Sequence, residues 1–325
     1  MRDPRRPDAD ERATHGAITA RLLVETWGVL AILASLSLAL IGREGPLVDV
    51  GLALVITCQG AWLHRLYTAA HEAIHYKLTP ARPRLNDLLG QALLVPLLVP
   101  LPVYRQIHFF HHGHNRRDPA TAALDTFVCD RPPGRLRRAY YRALWYAGVF
   151  AGGYFLHGLV SIVLFLCLPQ SVARRVSPAF AGWRERDRLS SLPGLLLGAG
   201  LHAAVYAGLG ADAYLALLGA PTLVFAWIYS LLVYVYHCGA SYGPRVRYNV
   251  RSLRRAPLLA WWLLNFNEHA THHRDPSIPW HQLPAKRRPL PPEFAANERV
   301  ATLGAALRNL LRGPRIVVRA REEGA

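Results

Sequence analysis

Histidine is the side chain that carries chemistry in this sequence. Fifteen are present, and eight of them fall into three tight clusters. The first is HEAIH, with His71 and His75 spaced i, i+4. The second is HFFHH, with His108, His111 and His112, followed closely by His114. The third is HATHH, with His269, His272 and His273. Residues three and four apart share a helix face, so each cluster aims two or three imidazoles at one point. A single pair would pass for a proton relay or a surface feature. Three clusters with this spacing describe a polynuclear metal site.

Imidazole serves zinc, copper, iron and nickel alike, so ligand type alone does not choose the metal. HEAIH also fits the HExxH pattern of zinc hydrolases, in which Glu72 would be the general base. An intramembrane zinc protease of that kind would use His71, His75 and a distant carboxylate, and it would leave the other clustered histidines without a role. Eight or nine ligands suffice for two ions with open positions. Two irons could carry dioxygen to the point of breaking an unactivated C–H bond, which is the chemistry a hydrocarbon tail demands. The cysteines, Cys58, Cys129, Cys167 and Cys238, contain no CxxC pair, so neither a disulfide framework nor a thiolate site is expected. No haem-attachment CxxCH, flavin motif or iron–sulfur set is present either, so reducing equivalents must come from another protein.

What must position these histidines is a series of apolar segments. Of the 325 residues, 52% are hydrophobic, and they are massed rather than dispersed. Leu22 to Gly42 and Leu47 to Leu63 lie on either side of a turn-like REGP, and further apolar segments fall at 143–168, 193–210 and 212–236. Runs of about 17–25 apolar residues are long enough to cross a bilayer. The stretch LNDLLGQALLVPLLVPLPVY is apolar too, but it holds Pro96, Pro100 and Pro102. Proline removes helix donors, and irregular backbone in lipid needs other partners. A short re-entrant or interfacial helix is expected there. The fold class is therefore an all-α integral membrane protein, with about four transmembrane helices, re-entrant or interfacial helices and a cytoplasmic histidine-rich cap. A cytoplasmic N-terminal arm is expected at 1–20, the membrane catalytic domain at 21–284 and a basic cytoplasmic tail at 285–325. GAGLHA, at Gly198 to Ala203, resembles a dinucleotide fingerprint, but it sits inside an apolar helix, where close helix packing explains it.

Charge supplies the sidedness. Lys and Arg number 38 against 21 Asp and Glu, a formal net charge of +17. The arginines concentrate at 104–142, 172–188 and from 245 onward, which the positive-inside rule assigns to the cytoplasm. No basic patch stands apart from the membrane flanks, so nucleic acid is not expected as a partner. If all three clusters meet at one centre, an even number of crossings must separate them. Three apolar segments lie between the second cluster and the third, so one must fail to cross. The arginines between 168 and 193 place both ends of 143–168 on one side. That segment is expected to bend near AGGY, Ala151 to Tyr154, or to lie along the interface.

HEAIH, HFFHHGHN and NFNEHATHHRDPSIPWHQLP resemble the three histidine boxes of the membrane fatty acid desaturase superfamily. Relatives there include carotenoid ketolases and hydroxylases and alkane hydroxylases. The similarity spans roughly residues 63–284, including RPRLNDLLGQ after the first box and a PxxPWxxLP pattern after the third. It implies a centre of two iron ions on the cytoplasmic side of four transmembrane helices. It also implies O2 as co-substrate and a separate ferredoxin- or cytochrome-type electron donor with its reductase. By position the implied ligands are His71, His75, His108, His111, His112, His269, His272 and His273. Family members often carry one more near the end of the last span, where this chain has His237, although an interfacial polar residue would look the same. His64 and His114 lie near the boxes without belonging to them. Asn265 and Asn267 could bond ligand imidazoles or cap a helix. The activity implied is desaturation or hydroxylation of a fatty acyl lipid, with carotenoid or alkane oxidation as the alternative. The inner (cytoplasmic) membrane of a bacterium is the expected location.

Overall fold

The computed structural model describes residues 9–119 and 125–319. Helix α1 (Ala9–Leu40) and helix α2 (Pro46–Ile74) are joined by a turn that places Gly42 and Gly45 at positive φ, where any other residue would be strained. Pro46 opens α2 at a position that needs no N–H donor. Helix α3 (Pro83–Leu94) runs through a 3-10 turn, Val95–Leu97, and α4 (Leu101–His114) leaves it at 96°. The break is Leu98, which adopts φ +59 between Pro96 and Pro100. Strand β1 (Thr126–Cys129), α5 (Arg135–Phe150) and α6 (Gly153–Cys167) follow, with α5 and α6 bent by 88°. After these come α7 (Gln170–Val176), α8 (Glu185–Leu209), α9 (Ala211–Tyr214), a π-helical turn at Leu215–Gly219 and α10 (Ala220–His237). Short helices α11 (Pro257–Trp262), α12 (His269–Arg274) and α13 (Leu303–Leu310) lead to strand β2 (Arg315–Val318).

Four helical stretches are long and apolar enough to cross a membrane: Ala13–Leu40, Pro46–Ile74, Glu185–Leu209 and Ala211–His237. This is an all-α integral membrane protein. It divides into two compact units, Met1–Tyr104 with Leu189–Thr222, and Arg105–Arg188 with Leu223–Ala325.

In the first unit, polar side chains pin the apolar helices together. Arg65 pairs with Glu25 at 2.8 Å, Trp62 donates its indole N–H to the Thr26 carbonyl at 2.7 Å, and the Gln59 amide donates to Ser37 and to the Ala216 carbonyl of the π turn. Such bonds hold helices where burial of apolar surface supplies no drive. Asn86 of α3 donates to the Ala73 carbonyl at 2.9 Å and accepts from Leu78 N–H at 3.2 Å, fixing the end of α2 that carries His71 and His75. A Cβ on Gly198 would stand 2.9 Å from the Val95 carbonyl oxygen, so close packing is what GAGLHA serves. His202 bonds the Pro96 carbonyl and the Tyr214 hydroxyl.

In the second unit, α5 packs along α10, with Trp145 edge-on to Tyr234 at 5.0 Å between ring centroids. The chain turns out of α5 at Gly152, φ +75, where an added Cβ would lie 3.1 Å from the Trp227 nitrogen. The bend thus falls within the expected AGGY.

Two boundaries differ from expectation. Residues 9–20 of the supposed arm are the first turns of α1, anchored by His15 to the Lys77 carbonyl (2.6 Å) and by Thr19, which donates to the Leu78 carbonyl (2.9 Å); residues 1–8 lie outside the described residues. The supposed tail is folded as far as 319. Leu290, Phe294, Ala306 and Leu310 join the core of the second unit, and β2 pairs in parallel with β1. Leu303, Ala306, Leu307 and Leu310 form a helical apolar stripe that the surrounding arginines mask in sequence. Residues 320–325 lie outside the described residues.

Candidate metal centre

Each histidine box owes its geometry to a helix. On α4, His108 and His112 stand one turn apart with their Nε2 atoms 2.9 Å from each other. His112 also meets His272 of α12, Nε2 to Nε2, at 3.0 Å. His111, on the neighbouring line of α4, faces His273 at 3.3 Å, and His237 at the end of α10 faces His269 at 3.0 Å. Within the second unit, His111, His237, His269 and His273 offer ligand atoms all within 4.8 Å of one another, and so do His108, His112 and His272. Within the first unit, His71 and His75 close α2 with rings edge to face at 4.8 Å.

These separations suit a cation. Nitrogens about 2.1 Å from a common ion lie about 3.0–3.4 Å apart when adjacent and about 4.2 Å apart when opposed. Burial holds the imidazoles of His269 and His273 well below the usual histidine range, so both present neutral nitrogen lone pairs. The Nδ1 atoms of His237, His269 and His273 are buried without a hydrogen-bond partner among the described residues. Imidazole nitrogens crowded this way, with no carboxylate among the grouped ligands, fit a metal ion better than they fit one another.

Behind these histidines lies a polar framework. Arg251, buried, donates to the carbonyls of Val235 and Cys238, the last turn of α10 on either side of His237. Asp125, also buried, accepts from Gly239 N–H at 2.6 Å and from Arg116. Arg116 donates in turn to the carbonyls of Ala240 and Ser241. Asn249 donates to the carbonyls of Arg116 and Gly243, and Asn115 donates to that of Asn249. The chain just past the second box is thereby tied to the chain on either side of His237 and to the approach to the third box. Burial by itself would push the Asp125 carboxyl up. The charge and hydrogen bonds of Arg116, with those of Gly239 and Thr126, outweigh burial and hold it below the usual carboxylate range. Sequence reading missed these residues, because nothing in the spacing of Arg116, Asp125 and Arg251 announces their contact.

The doubtful residues resolve locally. His114 turns back to the Phe110 carbonyl and stacks on that ring at 4.1 Å, and His64 packs beside Thr68; neither belongs to a ligand group. Asn265 donates to the Trp280 carbonyl and Asn267 to the Glu268 carboxylate, neither of them an imidazole. Glu72 is buried, with a carboxylate oxygen 3.9 Å from His71 Nδ1.

Membrane-spanning helices that end in clustered, buried imidazoles define a histidine-box membrane protein with groups able to hold metal. The family described as fatty acid desaturase matches residues 45–302, and the chain belongs to it. None of the curated proteins matches it.

Proposed function

We propose that this protein is an O2-dependent di-iron oxidoreductase that desaturates, or hydroxylates, a fatty acyl chain. The observation that carries the reading is the grouping of six box histidines with His237 in the second unit within a chain of the fatty acid desaturase family. His111, His237, His269 and His273 would hold one iron. His108 and His112, with His272, would hold the other, completed by His71 and His75 as the family resemblance implies. When bound, the irons would supply reductive activation of O2 for C–H cleavage.

The chain's own residues do the rest. Neutral, buried imidazoles bind without a competing proton. Arg251 and Asp125 hold the end of α10 so that His237 keeps its place. Burial around His269, His272 and His273 keeps water from the reacting carbon, and placement of that carbon decides the product. Electrons would arrive from a separate ferredoxin- or cytochrome-type protein. The family suits a site on the cytoplasmic side of a bacterial inner membrane, and a carotenoid or alkane is the second substrate class. The test is lipid and pigment profiling of a host with and without the gene, alongside metal analysis of the purified protein. New double bonds or hydroxyls in acyl chains support the reading. A change confined to carotenoids would shift it to the second class, and zinc with no iron would overturn it.

A further inference from the structure

Helix α6 carries no Lys, Arg, Asp or Glu. Its 15 residues extend only about 22 Å at about 1.5 Å each, short of a hydrocarbon core of roughly 30 Å. It therefore does not cross. Nor does it suit water: Leu156, Val160, Val163 and Leu164 are exposed at i, i+4, i+7 and i+8, a single stripe. Phe155, Ile162, Phe165 and Leu166 are buried on the other side. A shallow groove lined by Leu159, Val160, Val163 and Leu164 opens on the exposed stripe.

The direction of α6 follows from its neighbours. Trp145 of α5 meets Tyr234, and Gly152, seven residues on, abuts Ala226 and Trp227. As α5 advances, its contacts on α10 retreat, so the two helices run antiparallel along one axis. Because α10 belongs to the span Ala211–His237, α6, at 88° to α5, lies across the direction of crossing.

The segment after α6 is cationic. Residues 170–188 contain Arg174, Arg175, Arg184, Arg186 and Arg188 against Glu185 and Asp187, five positive charges less two negative, or +3. Phe180 stacks on Phe165 of α6 at 3.7 Å, and Arg174 donates to the Trp183 carbonyl at 3.0 Å. These contacts hold the loop compactly on the end of α6. Arg175 and Arg186 remain exposed.

We propose that α6 lies in the plane of the leaflet on the side to which the His237 end of α10 points, starting at the level of Ala226–Ser230, and that the arginines at 174–188 hold the phosphates of anionic phospholipids there. The apolar stripe then meets acyl chains, with the cationic loop level with the headgroups. Each arginine at such a surface strengthens anionic lipid binding roughly fivefold.

The test uses the full-length protein in liposomes of phosphatidylcholine with phosphatidylglycerol. Nitroxides placed on cysteines at Val160 and Val163 are expected to collide with dissolved O2 and to be shielded from an aqueous nickel chelate. Exposure to the chelate would overturn the proposal, as would shielding from both reagents, which would mean that a second copy covers the face. Spin-labelled phosphatidylglycerol is expected to bind more tightly than phosphatidylcholine. Arg175→Gln with Arg186→Gln, both surface changes, should weaken that preference roughly fivefold per arginine. An equal affinity for the two lipids, or a preference unchanged in the double variant, would remove the arginine half of the proposal.

Discussion

The Asp125 carboxylate bonds the backbone N–H of Gly239 at 2.6 Å, two residues past His237. The same carboxylate binds Arg116, which emerges from the end of the second histidine box. One acid thus joins two histidine-bearing segments that lie more than a hundred residues apart in sequence. Asp125→Ala should destabilise the protein by about 3–5 kcal/mol, because it leaves a buried guanidinium without its counter-charge. Chemical denaturation in detergent, with iron content followed alongside, checks this. An unchanged midpoint would show that the pair is not a clamp.

Acid should reveal the same pair. The Asp125 carboxyl is held below its ordinary value of 3.8, so its stabilising contribution is complete above about pH 4 and fades as pH falls through the lower, folded value. The stability gap between the wild type and Asp125→Asn should be constant from pH 5 to pH 7, to within roughly 0.5 kcal/mol, and should close in stronger acid. A gap that widens on acidification would reverse the sign and refute the assignment.

The ligand assignment makes a contrast between neighbours. His272→Ala and His111→Ala should each abolish turnover. Glu72→Gln, beside His71, should cost about 10–100-fold and leave measurable activity. Complete loss in Glu72→Gln with metal retained would instead identify a general base and revive the hydrolase. His237→Ala should lower bound iron, measured by mass spectrometry, from two per chain; full iron and full activity would take His237 out of the centre.

Gly152→Ala should cost about 1–3 kcal/mol, since φ +75 is unfavourable for any side chain and its Cβ would press on the α10 backbone. The thermal midpoint reports the loss. An unchanged midpoint would mean that the bend between α5 and α6 relaxes freely.

Cysteines substituted at Arg174 and Arg188 should react with an impermeant maleimide only from the side that carries the boxes. Labelling of either from the other side would break the crossing count.

What sequence could and could not reveal divides along physical lines. The boxes were legible because i, i+3 and i, i+4 spacing is a local property of one helix, and residues so spaced on α4 and α12 lie grouped. The bend at Gly152 followed from counting crossings, a constraint that acts on the whole chain at once. Asp125 with Arg116 and Arg251 was invisible, because an arginine destined for burial reads like any other arginine near a membrane. The tail misled for the same reason. Its arginines suggested solvent, while Phe294 and Leu310 were packing into a core.

The end of α2 sets a height. The apolar stretch of that helix stops at Leu63, and His71 comes eight residues later in the same unbroken helix, about 12 Å further along at about 1.5 Å per residue. If the oily layer ends with that apolar stretch, His71 stands clear of it. A methylene left in water costs about 0.8 kcal/mol, so a carbon cannot climb that distance bare. On the proposed function, an acyl chain would have to be drawn up under protein cover until the right carbon arrives. On that reading selection would work as a ruler works, by how far a molecule can be pulled out of its solvent before its headgroup catches.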